Sequence, residues 1–103
     1  MSVYVIVDND VHDPEPYAEY LRLVTPTVAQ YGGRYVVRAG HIHFADSDWH
    51  PGRLVVIEFD DVAAARRWVE AEDTQEIHAM RRRHASSRLI IIDGVDESPP
   101  VAL

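Results

Sequence analysis

The chain alternates between short apolar runs and amphipathic stretches. "VYVIV" (Val3–Val7) is a continuous β-branched run and predicts a buried strand. Asp13 then stands before Pro14, the pairing of a helix N-cap with proline at the first helical position. From there Tyr17, Tyr20, Leu21, Val24, Val28 and Tyr31 recur at helical spacing. Pro26 interrupts that stripe and predicts a kink or break near Thr25. Gly32-Gly33 supplies the helix stop.

"RYVVRAGHIHF" (Arg34–Phe44) reads as a strand, with Arg34, Val36 and Arg38 on one face and Tyr35, Val37, His41 and His43 on the other. "ADSDWHPG" is a loop, and "RLVVIEF" (Arg53–Phe59) is a further strand. Asp60 or Asp61 caps a second helix with Val62, Ala65, Trp68 and Val69 inward. "DTQE" (Asp73–Glu76) has the form of a capping box and opens another helical piece. The expected inner stripe of that piece is Ile77, Met80 or Arg81, and His84. "RLIIID" (Arg88–Asp93) is the last strand.

The order strand, helix, strand, strand, helix, strand predicts a ferredoxin-like α+β sandwich, βαββαβ, with a four-stranded antiparallel sheet and helices on one face. Residues 1–95 form this domain, and residues 96–103, rich in proline, form a mobile tail. Three of the strands are apolar on both faces, which implies cover on both sides. Helices cover one face only, and soluble proteins do not leave a large apolar patch bare. A second copy packed sheet to sheet solves this, so a homodimer in the manner of a dimeric α+β barrel is expected.

At 103 residues, 47% of them apolar, the chain has the material for one core. It has no apolar run long enough for a membrane helix, and its N-terminus lacks the pattern of a secretory signal, so a cytoplasmic location with no membrane partner is expected. With no cysteine it has neither disulfides nor thiolate sites. Its formal charge of −7 argues against nucleic acid as a partner.

"YGGRYVVRAG", "WHPGRLVVIEF" and "AARRW…TQEIHAMR…LIIIDG" together resemble domain-of-unknown-function family 1330, which is similar to the dimeric α+β barrel superfamily. The resemblance spans nearly the whole domain. It implies the fold argued above and picks out Gly33, Arg38, Trp49, Arg53, Glu58, Trp68 and Arg81. Thr74 stands where that family usually has tyrosine, and His41 and His43 lie outside the shared pattern. At the level of the superfamily it implies a small cofactor-independent enzyme of isomerase, cyclase, lyase or oxygenase type, acting on a small aromatic or carboxylated molecule.

Glu58 is the sharpest polar anomaly, a carboxylate inside "LVVIEF". Burial would raise its pKa toward that of a general base, unless Arg38 or Arg53 pairs with it. Such a pair could equally be structural, fixing strand register or the dimer. Arg38 and Arg81 suit an anion, and Arg53, Trp49, Trp68 and Tyr4 could line its pocket. His41 and His43, two apart on one strand face and about 6.6 Å apart, could serve acid–base chemistry, with His43 the better placed and His41 beside the substrate. They could instead converge on a metal with Asp46, Asp48 or His50 as third ligand, but the spacing matches no established zinc motif, and no metal or cofactor is assigned. A non-catalytic dimeric binding module is the alternative to an enzyme.

Overall fold

The hydrophobic alternation is realised as one sheet with helices on one side. In the computed structural model, which describes residues 1–95, the order is β1 (Val3–Val11), α1 (Pro14–Gln30), β2 (Arg34–Arg38), β3 (Arg53–Phe59), α2 (Val62–Glu70), a 3-10 turn (Glu72–Thr74), α3 (Gln75–His84) and β4 (Ala85–Asp93). The four strands are ordered β2-β3-β1-β4, and every neighbouring pair is antiparallel. This is the ferredoxin-like α+β arrangement that the element order predicts. The expected tail, residues 96–103, lies outside the described residues. Among the described residues no helix is long and apolar enough to cross a membrane.

Pairing fixes which residues share a face. Val3, Val5, Val7 and Asn9 of β1 point to the helices, beside Phe59, Ile57, Val55 and Arg53 of β3. Val24 and Val28 of α1 and Ala65 and Trp68 of α2 close the core over them. Trp68 is fully buried, packs on the Phe59 ring at 5.9 Å, and donates its indole N–H to the Thr27 hydroxyl at 2.9 Å. The opposite sheet face carries Tyr4, Ile6, Leu54, Val56, Ile90 and Ile92, and no element among the described residues covers it. Ile90 and Ile92 stay 54% and 47% exposed there.

Several local expectations change. Helix α1 runs unbroken through Pro26. The proline lies on its exposed side, where the lost hydrogen bond faces water, and the Thr25 hydroxyl donates to the Leu21 carbonyl one turn back. Gly32, at φ 84°, then turns the chain, and the Gly33 amide donates to the Val28 carbonyl. The Asp73 capping box does not form. The Asp73 carboxylate accepts from the Tyr31 hydroxyl, and the 3-10 turn feeds straight into α3. On α3 the buried residues are His78 and Arg81, whereas Ile77, Met80 and His84 are half-buried. On α2 Val62 is exposed and Ala64 takes an inner place.

The largest change is in β2. A register shift between Tyr35 and Val37 inserts Val36 as an extra residue, so Tyr35 opposes Ile57 but Val37 opposes Val56. Such a bulge reverses the alternation beyond it. Arg34, opposite Glu58, therefore lies on the uncovered face, and Arg38, opposite Val55, on the helix face. The strand ends at Arg38, because Ala39 takes a positive φ of 54° and the chain departs. Residues 39–50 are exposed and outside the sheet.

Candidate functional site

The helix side of the sheet carries an unusual polar row. Cross-strand pairing sets Arg53, Asn9 and Ser87 side by side on β3, β1 and β4. Neighbouring side chains in such a row have Cβ atoms about 5 Å apart. Helix α3 adds Arg81, whose Nε donates to the Ser87 hydroxyl at 2.9 Å. Helix α1 adds Tyr17 and Tyr20, and β2 adds Arg38 by way of its bulge. Gly52, just before β3, lets the chain pass against the Asn9 carbonyl, where a Cβ would collide, and its amide is held by the Asp8 carboxylate at 3.0 Å. The row is thus positioned by backbone on both sides.

Arg81 is 4% exposed, and no carboxylate reaches it among the described residues. Burial lowers its pKa, and the Tyr20 hydroxyl opposes that shift. Its other partner is His78 Nδ1 at 2.7 Å, while His78 Nε2 lies 3.0 Å from the Trp68 carbonyl. The carbonyl can only accept, so Nε2 carries the proton and Nδ1 accepts from the guanidinium. This fixes a neutral imidazole, in agreement with a His78 pKa pushed down to about 4, chiefly by burial. Tyr20 is the converse case, its hydroxyl pushed up to about 12 by burial. It remains a hydrogen-bond donor through the neutral range.

Arg38 and Arg53 are also without carboxylate partners among the described residues. Arg38 lies over the Tyr35 ring at 4.5 Å and donates to the Thr25 hydroxyl, and Arg53 sits 6.0 Å from the Tyr17 ring. The cleft they share with Asn9, Tyr17, Tyr20 and Trp68 runs between sheet and helices. It is nearly closed, leaving about 20 Å³ for solvent, the room of a single water. Among the described residues neither a carboxylate nor a histidine lines it.

The remaining sequence candidates lie elsewhere. Glu58 faces the uncovered side, where Arg34 Nε donates to it at 3.0 Å and the Tyr4 hydroxyl at 3.4 Å. Its partner is therefore Arg34, not Arg38 or Arg53, because the Val36 bulge and the pleat put those two on the other face. Its pKa is lowered, by the Ser2 hydroxyl first, with Arg34 and Tyr4 also contributing. It is an ionised carboxylate rather than one raised toward a general base. His41 and His43 do not share a strand face. They sit in the exposed segment with rings edge to face at 4.7 Å. Trp49, 60% exposed, is in the same segment. Among the described residues no group of three or more His, Cys, Asp or Glu is placed to hold a metal ion.

Of the residues singled out in the sequence, the cleft gathers Arg38, Arg53 and Trp68, with Arg81 beside them. It excludes Glu58, Tyr4, His41, His43 and Trp49. Sequence reasoning missed Asn9 and Ser87. The signal for Asn9 was available: it continues the inward series Val3, Val5, Val7 by one more step of two, and asparagine is depleted in strands.

Comparison with known proteins agrees with this architecture. The family model of a domain of unknown function, DUF1330, matches residues 2–95. No curated protein matches the sequence. Among solved structures, the methylated RPA0582 protein is 19% identical with a TM-score of 0.68, covering 95% of this chain and 84% of its own. RPA0582 is a protein of unknown function from Rhodopseudomonas palustris. SnoaB, a cofactor-independent oxygenase from Streptomyces nogalater, is 18% identical with a TM-score of 0.64, covering 96% of this chain and 98% of its own. Rv0793 from Mycobacterium tuberculosis is 16% identical with a TM-score of 0.59, covering 96% and 100%. At these identities the likeness is one of fold.

Proposed function

The chain belongs to the DUF1330 family, and we propose that it is a homodimeric, cofactor-independent enzyme acting on a small carboxylated, aromatic metabolite held at the cleft between sheet and helices, which has to open from its single-water size as the ligand enters. One observation carries this reading. In a chain of net charge −7, Arg38 and Arg53 line the cleft with Arg81 packed beside it, and no carboxylate pairs with any of the three among the described residues. Arg81 is buried without a counter-ion, Arg53 is half-buried and Arg38 exposed at the mouth, and an anionic ligand would answer all three. Arginine pairs carboxylates in bidentate fashion and stabilises enolate charge. Tyr17 and Tyr20 supply hydroxyl protons at the same place. The fold is shared with a cofactor-independent oxygenase and an antibiotic biosynthesis monooxygenase. Glu58, with Arg34 and Tyr4, serves the dimer face in this account, and His41, His43 and Trp49 ride on a loop that would have to fold back to reach a ligand.

The test is the affinity of phenylacetate for the wild-type chain and for Arg53→Gln, Arg81→Met and Glu58→Gln. Loss of roughly tenfold or more in the first two, with Glu58→Gln unchanged, is expected. Retention in both arginine variants contradicts the reading. For the dimer, Ile90→Asp puts a charge on the uncovered face, and light scattering should then report the mass of one chain. A wild-type chain that is already monomeric contradicts that part.

A second reading is favoured by one feature: among the described residues the cleft is lined by neither a carboxylate nor a histidine. In that reading the protein binds the same anion without turning it over. Tyr17→Phe separates the two, since an enzyme loses turnover at saturation and a binding module has none to lose.

A further inference from the structure

Asn9 is 2% exposed, and its Oδ1 is the one buried side-chain oxygen or nitrogen without a partner among the described residues. A buried acceptor left alone is destabilising until a donor answers it. Its amide Nδ2 donates to the Tyr17 hydroxyl at 2.8 Å, and both residues line the cleft. The Tyr17 oxygen accepts that bond, so its own hydrogen is free to be given. An unused acceptor and an available donor thus sit within one pair of side chains at the cleft wall, to be reached as the cleft opens. A hydroxyl donates and accepts at once and answers both. Arg53 is the cross-strand neighbour of Asn9 on the same sheet face, about 5 Å away at Cβ.

We infer that Asn9 and Tyr17 form a hydroxyl subsite beside the Arg53 anion subsite, so that the ligand is a hydroxy-carboxylate with the two groups separated by only a few bonds. The Asn9 oxygen takes the ligand's hydroxyl proton in a hydrogen bond, the Tyr17 hydroxyl donates back to the same oxygen, and Arg53 holds the carboxylate. Amines are disfavoured at this position, because an ammonium would lie beside the guanidinium. The inference rests on the anion-binding reading above and adds to it the choice among anions.

The experiment compares two probes that differ by one hydroxyl, mandelate (both enantiomers) and phenylacetate, titrated calorimetrically into the full chain. Wild type should bind one mandelate enantiomer roughly tenfold more tightly than phenylacetate, the worth of the recovered hydrogen bonds. Asn9→Leu should bring the ratio of the two affinities close to one. Tyr17→Phe, a milder change for which folding is less at risk, should reduce it about threefold. Equal binding of mandelate and phenylacetate by wild type overturns the hydroxyl subsite and leaves the anion reading intact. Binding of neither overturns both. Mandelate preference that survives both substitutions also overturns the subsite. So does a crystal structure of the mandelate complex in which only a water touches Asn9.

Discussion

The two faces of the sheet use the same residue types in opposite ways. On the uncovered face Arg34 meets Glu58 and Arg88 meets Asp8, each cation matched to an acid among apolar neighbours. On the covered face Arg38, Arg53 and Arg81 meet tyrosine, threonine, serine and histidine, and no acid among the described residues. Matched charges on an apolar surface suit a self-complementary contact. Unmatched cations beneath helices suit a ligand that brings its own negative charge. One inserted residue, Val36, sends Arg34 and Arg38 to these two fates.

The comparison is tested most forcefully at the base of the covered face. Trp68→Ala removes a fully buried ring and its bond to Thr27, and should cost about 3–5 kcal/mol in urea unfolding. A loss below about 1 kcal/mol would mean that the face collapses to fill the gap. A smaller effect concerns His78. It is held near pKa 4 in the fold and titrates near 6.5 in the unfolded chain. Below pH 6.5 the unfolded chain takes up a proton that the folded one refuses. Stability therefore falls as pH drops from about 6.5 to 4, by roughly 2–3 kcal/mol from this residue. His78→Gln should flatten that limb of the unfolding profile, and an unchanged limb would show that the imidazole is not held neutral. Smallest of all is Glu58→Gln on the other face. Its partners are solvent-accessible, so the denaturation midpoint of the monomer should barely move in a denaturant titration. A larger loss would make the Glu58–Arg34 pair part of the core.

How much of this could be read from the residues depends on periodicity. Val3, Val5 and Val7 alternate with Tyr4 and Ile6, and Leu89 and Ile91 alternate with Ile90 and Ile92, so the sheet and its two apolar faces were legible. The element order then determined the topology. Glu58 was legible as a paired carboxylate, but its partner was not. A bulge changes no residue type, and Arg34–Phe44 reads as uninterrupted alternation. The role of His78 was hard to see for another reason. Helix α3 is mostly polar, and its buried side chains are stabilised by specific hydrogen bonds rather than by an apolar stripe. Asn9 was missed because β1 was ended at Val7, one turn of the pleat before the position that matters.

The central claim is that the two faces divide the arginines by task. Every basic residue in the chain is arginine, so the Nε–Hε region of an ¹⁵N-correlated NMR spectrum reads all of them at once. Phenylacetate titrated into the protein should shift the Arg38, Arg53 and Arg81 resonances and leave Arg34 and Arg88 in place. Movement of Arg34 with the cleft arginines silent would contradict the account.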